Sequence, residues 1–104
     1  MMELGQFVYV LRATRLGMLT EGPTPEERAV VKGHLEYLER LAQAGVVLLA
    51  GRTQTADEKT FGLVVFRAES EDAARCVADA DPAVAHGVMR AEVYPYQIAV
   101  LGKF

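Results

Sequence analysis

The stretch Thr24–Gly51, TPEERAVVKGHLEYLERLAQAGVVLLAG, decides the fold. Thr24-Pro25-Glu26-Glu27 is a capping box with proline at the first helical position: Thr24 can accept from the N–H three residues on, and Glu27 can reach back to the cap. The pattern predicts a helix from there to about Ala44. Gly45 can then take the left-handed conformation that stops a helix, and Val46 to Ala50 reads as a strand so apolar that burial on both sides is expected. Within the helix, Val30, Val31, Leu35, Tyr37, Leu38, Leu41 and Ala42 share one broad arc at about 100° per residue. His34 lies inside that arc. A core-facing imidazole is either a hydrogen-bonded packing residue or a titratable group in a pocket wall, and the question of function turns on which.

On the N-terminal side, Gly5 to Ala13 reads as a strand with Phe7, Tyr9 and Leu11 on one face and Val8, Val10 and Arg12 on the other. Thr14 to Gly22 keeps neither period and is expected to be a loop long enough for a lid or pocket wall. On the C-terminal side, Gly51 to Lys59 is a polar connection with a mobile tip, and Thr60 to Arg67 is a strand apolar on both faces. Ser70 caps a second helix, in which Ala73, Ala74, Val77 and Ala78 form a narrow small-residue face. Asp81-Pro82 begins a further short turn that Gly87 closes. Val88 to Val100 is a last extended segment, with Pro95 arguing for an edge position or a bulge.

Strand, helix, strand, strand, helix, strand is the split βαβ order of an α+β, ferredoxin-like βαββαβ domain over residues 1–104, with two helices on one face of a four-stranded antiparallel sheet. Two helices cover one face only. The first three strands are nevertheless apolar on both, so a second copy of the same sheet is expected to cover the other. The expected partner is therefore the chain itself, as a homodimer through the sheet face or a higher oligomer built on it.

Composition narrows the function. A net charge of −3 with no Lys/Arg cluster removes the electrostatic basis for binding nucleic acid or an anionic membrane. The single cysteine, Cys76, can form neither an intrachain disulfide nor a Cys-based zinc site, which fits a reducing cytoplasm. The opening MMELGQFVYVLRA has no basic lead-in or cleavage site, and no apolar run is long enough for a membrane span. Two histidines without ligand spacing argue against a metal, and the chain has no phosphate-binding glycine loop, dinucleotide fingerprint or Ser-His-Asp motif. Chemistry without a cofactor is expected.

Several of these segments together resemble a known family: His34-Leu35 with Leu38 and Leu41, then Gly45 and an apolar strand ending in Gly51, then Ala78-Asp79-Ala80-Asp81-Pro82 with Gly87-Val88, then Val93-Tyr94-Pro95-Tyr96. The chain resembles the YciI-like proteins, a branch of the dimeric α/β-barrel superfamily, over nearly its whole length. The resemblance implies sheet-mediated dimerisation and a histidine–aspartate site with a mostly unassigned substrate. A relative acts on a chlorinated hydroxyquinone, and the superfamily includes lactone isomerases and small monooxygenases. Several relatives carry Arg-Pro three and two residues before the histidine, where this chain has Val31-Lys32.

His34 and Asp81 are expected to be neighbours, because each lies about 14 Å along its own helix at 1.5 Å per residue and the two helices run side by side about 8–10 Å apart. As a pair, the carboxylate would orient the imidazole for general acid/base work; as a cap, Asp81 would need no histidine at all. Arg52, at a strand end, could hold a substrate carboxylate or enolate, or be a solvated loop residue. Tyr9 and Tyr94 could line a pocket with hydroxyls or serve only as packing. Asp79 and His86 are expected at the surface. Three functions are compatible with these residues: a cofactor-independent acid/base enzyme acting on a small oxygenated cyclic or aromatic compound by isomerisation, elimination or hydrolysis; a ligand-binding or regulatory module that keeps the pocket without turning anything over; and a dimeric interaction domain with no pocket.

Overall fold

A computed structural model of the chain describes residues 4–103. The first three residues, on which the expectation of no leader rests in part, lie outside them. Strands β1 (Gly5–Ala13), β2 (Val47–Arg52), β3 (Gly62–Ala68) and β4 (Met89–Pro95) form one antiparallel sheet in the order β2-β3-β1-β4. Its helices are α1 (Gly17–Thr20), α2 (Pro25–Gln43), α3 (Glu71–Ala80) and α4 (Pro82–Ala85). The architecture is the ferredoxin-like βαββαβ fold, with α1 and α4 as one-turn additions. Where the residue pattern predicts only a loop, the chain makes α1, a turn too short to show a helical period.

Both ends of α2 are set by local chemistry. Thr24 accepts from the Glu27 N–H at 3.1 Å and Glu27 accepts from the Thr24 N–H at 2.8 Å, the reciprocal capping box. At the other end Gly45 has φ +78°, and the Val46 N–H reaches back to the Leu41 carbonyl while the Gly45 N–H reaches Ala42. This is a Schellman stop, available to glycine at little cost.

One face of the sheet packs on the helices. Phe7, Tyr9 and Leu11 from β1, Val64 and Phe66 from β3, and Val47 from β2 meet Leu38 of α2 and the fully buried Ala74 and Ala78 of α3. The small residues let α3 lie close on the sheet, and Tyr37 ties α2 to α3 through its hydroxyl on the Val77 carbonyl at 2.7 Å. The pairing of Tyr9 with Val64 and Val93 places Val93, like Tyr9, on the helix face and turns Tyr94 to the other side. Pro95 sits at the end of β4, an edge strand, where its missing N–H costs no ladder bond.

The strand after Gly45 departs from the expectation of two-sided burial. Within one chain only Val47 of β2 is buried, and Leu49 is 48% exposed. β2 is an edge strand with a bulge between Val47 and Leu49, which turns Leu49 onto the face opposite the helices beside Val65. Leu35 also differs: it is 53% exposed, because the apolar arc of α2 is wider than the sheet beneath it and Leu35 overhangs a cavity.

Candidate active site

Asp81 is positioned by a break between two helices. Pro82 disfavours helical backbone at the residue before it, so α3 ends at Ala80 and Asp81 adopts an extended conformation at φ −61°, ψ 124°. Its side chain caps α4 by accepting from the Ala83 N–H at 2.9 Å. The same carboxylate is fully buried and meets His34, whose Nδ1 lies 2.8 Å from Oδ1 and 2.9 Å from Oδ2. Tyr9 completes the set, donating its hydroxyl to Oδ2 at 2.8 Å. Asp81 is thus a helix cap and a histidine partner at once. Close approach of α2 to α4 allows this: a methyl group built on Gly33 would already touch the Pro82 ring at 3.7 Å.

Burial, and then the neighbouring Asp81 charge, push the Tyr9 hydroxyl far above its ordinary range, so it remains a donor. Tyr37 is raised by the same two causes in the same order. A carboxylate only accepts, so the His34 Nδ1 must donate, and the neutral ring then carries its lone pair on Nε2. Among the described residues Nε2 has no partner, and no fully buried side-chain polar atom lacks one. The free edge of the ring therefore opens on the cavity that His34 lines.

That cavity, about 860 Å³, lies between α2 and one end of the sheet. Its walls are largely apolar: Leu11 and Val64 from the sheet, Val31 and Leu35 from α2, and Met18 and Leu19 from the α1 segment, which acts as the expected wall. That segment is pinned to α2 by Arg15, which makes two hydrogen bonds to Glu27, at 2.6 Å and 3.0 Å. The bonds from Arg15 and from the Thr24 backbone hold the Glu27 carboxyl down at about 2. On the opposite wall, Thr60 is buried and linked by hydroxyl hydrogen bonds to Thr55 and on to Thr53, which shapes the loop between β2 and β3.

The sequence-predicted residues are thus divided. His34 and Arg52 line the cavity, Asp81 stands behind His34, and Tyr9 stands behind Asp81 without reaching the cavity. Tyr94 is elsewhere: it lies on the far face of the sheet, 46% exposed, with its hydroxyl on Glu92 at 2.6 Å. Asp79 and His86 are at the surface. Sequence reasoning passed over Arg28, which also lines the cavity. It stands one helical turn before Val31, on the edge of the apolar arc, and reads from the sequence as a solvated charge.

A model of the YCII-related domain matches residues 8–97. The chain belongs to the YCII-related family. No curated protein matches it. Among solved structures, this YCII-related chain is similar to the 5-chloro-2-hydroxyhydroquinone dehydrochlorinase of Burkholderia phenoliruptrix in complex with 2,5-dihydroxybenzoquinone. The TM-score is 0.62 at 23% identity, over 88% of this chain and 93% of that one. It is also similar to an uncharacterized protein of Thermotoga maritima, with a TM-score of 0.57 at 11% identity, over 91% and 100% of the two chains. At these identities the likeness establishes a shared fold, the ferredoxin-like arrangement described above. Among the described residues no helix is long and apolar enough to cross a membrane, and no cluster of His, Cys, Asp and Glu has metal-site geometry.

Proposed function

We propose that this YCII-related protein is a small cytoplasmic enzyme in which His34 moves a proton on a small oxygenated cyclic or aromatic substrate without a cofactor, and Asp81 orients it. The observation that carries this reading is the His34 ring itself. It is held at Nδ1 by a buried carboxylate with two further donors, while Nε2 faces an apolar cavity large enough for a substituted ring. In the proposed step Nε2 accepts a proton from a ring hydroxyl or an acidic ring carbon, and the electron pair left behind moves into the ring. That pair then expels a leaving group, or is reprotonated at another carbon by the imidazolium. If water gives up the proton instead, its oxygen adds to the carbonyl carbon of an activated ester, the ester C–O bond breaks, and the imidazolium returns the proton to the leaving oxygen. Asp81 stabilises the transient imidazolium, and Tyr9 and the Ala83 N–H keep Asp81 in place. The bound 2,5-dihydroxybenzoquinone of the Burkholderia structure supports the choice of a hydroxylated ring.

The protein is further proposed to act as a homodimer. On the sheet face away from the helices, Val8 and Val65 pair at the centre and are already buried within one chain, whereas Val10 and Leu63 beside them are half-buried and Leu49 and Tyr94 at either side are exposed. A second sheet would bury these last four.

The test is turnover of a panel of hydroxylated quinones, chlorinated hydroquinones and lactones, followed by absorbance and by proton NMR in D2O. Wild type is expected to accelerate at least one member, and His34→Gln to lose on the order of 100-fold or more of that rate. Equal rates in the two proteins, or no member turned over, would reject the enzyme reading and leave a binding domain.

A further inference from the structure

The chain carries a net charge of −3, yet its cavity has the opposite sign. His34 aside, the ionisable side chains among the described residues that line it are Arg28, near the start of α2, and Arg52, at the end of β2, with no described Asp or Glu beside them. Neither guanidinium has a hydrogen-bond or ion-pair partner among the described residues. The nearest carboxylate in sequence to Arg28 is Glu27, and both its oxygens are already engaged by Arg15, one of them also by the Thr24 backbone. Arg52 stands opposite Gly62 in the β2–β3 ladder, where the missing side chain leaves the guanidinium room to reach across the sheet end. The remaining polar lining, Gln54, Thr55 and Thr60, is neutral. Two uncommitted guanidinium groups beside apolar walls are suited to a planar oxyanion on a small ring, because the fork of N–H donors matches a carboxylate or enolate.

We propose that the cavity selects a small cyclic organic anion, whose ring oxyanion or carboxylate is held by Arg28 and Arg52 while the ring lies against Met18, Leu19 and Leu35 within reach of His34. This substrate class rests on the reading of the cavity as the active site. Arg28 and Arg52 would then be binding residues that also draw electron density toward the oxyanion as His34 removes the proton. Binding should weaken as salt rises, since both guanidinium groups are open to solvent.

The probes are 2,5-dihydroxybenzoate, which offers a carboxylate, 2,5-dihydroxybenzoquinone, which offers an enolate, and the neutral methyl ester of 2,5-dihydroxybenzoate. Calorimetry with wild-type protein is expected to give at least about tenfold tighter binding of one or both anions than of the ester. Whichever anion binds identifies the source of the charge. Arg28→Gln and Arg52→Gln should each lower anion affinity about tenfold and leave the ester within twofold. The His34→Gln variant should keep the preference for the anion, so charge selectivity without turnover would retire the acid/base reading alone. Equal binding of ester and anions, absence of anion binding at millimolar concentration, or unchanged anion affinity in the double arginine variant would overturn the proposal.

Discussion

At the residue scale the site depends on one carboxylate that serves three donors. Asp81→Asn separates its roles, because asparagine caps a helix about as well as aspartate but cannot accept from all three donors or match the imidazolium charge. The expected result is a near-normal α4 with the proposed activity lowered by a factor on the order of 100. Far-UV circular dichroism and turnover together check it. Tyr9→Phe keeps the ring contact with Phe66 and removes only the donor to Asp81; a hydrogen bond to a buried charge is worth roughly 1.5–3 kcal/mol, and a urea unfolding curve should show a loss of that size. The Asp81-Pro82 cap was legible in the sequence because proline restricts the residue before it. The meeting with His34 followed only once two helices were laid side by side on a sheet. The role of the Tyr9 hydroxyl was not legible, since alternation tells which face a strand residue occupies and not what lies above it. Tyr94 illustrates the same limit from the other side: its face depends on the β1–β4 register, and a shift of one residue would have brought it beneath the helices.

At the element scale, the helix and strand limits read from capping and glycine signals agree with the structure to within one or two residues, because those signals are local; the last segment, expected to stay extended to Val100 with no such signal to end it, leaves the sheet after Pro95. Gly45→Val tests one of them. A β-branched residue at φ +78° is strained, so the variant should lose about 1–2 kcal/mol or more, read as a lowered melting temperature. The segment containing α1 was legible only as a wall, and what fixes it, Arg15 on Glu27, joins residues with no periodic relation. Its signature is in acid. The Glu27 carboxyl is held at about 2 instead of its ordinary 4.5, so its folded-state value is depressed. The stabilisation is therefore complete above about pH 4.5 and is lost as pH falls toward 2. Melting temperature in that window should fall more steeply for wild type than for Glu27→Gln, which keeps the cap but lacks the titrating group. Parallel curves would show that the clamp does not form in solution.

At the scale of the whole molecule, the residue pattern indicated a sheet with two apolar faces and only enough helix for one. Within one chain, Val8 and Val65 at the centre of the second face are buried, while Leu49 at 48% and Tyr94 at 46% exposure remain open at its margins. Sedimentation at micromolar concentration should accordingly give about twice the 11.4 kDa chain mass. Charged substitution at Leu49, such as Leu49→Lys, should shift the protein toward monomer without altering its secondary structure. A monomeric wild type would remove the second sheet from the account. The cavity was less legible than the fold, because it is assembled from the start of α2, the end of β2 and two loops, and no sequence period connects those places.

The claim on which the function rests is that His34 presents Nε2 to the cavity while Nδ1 is bound to Asp81. Nitrogen-15 NMR of the histidine ring in its neutral form measures this directly. The predicted spectrum has a proton on Nδ1 and a lone pair on Nε2 for His34, and addition of a ring anion perturbs Nε2 more than Nδ1. A proton found on Nε2 in the wild type, or a His34 ring that no such ligand perturbs, would contradict it.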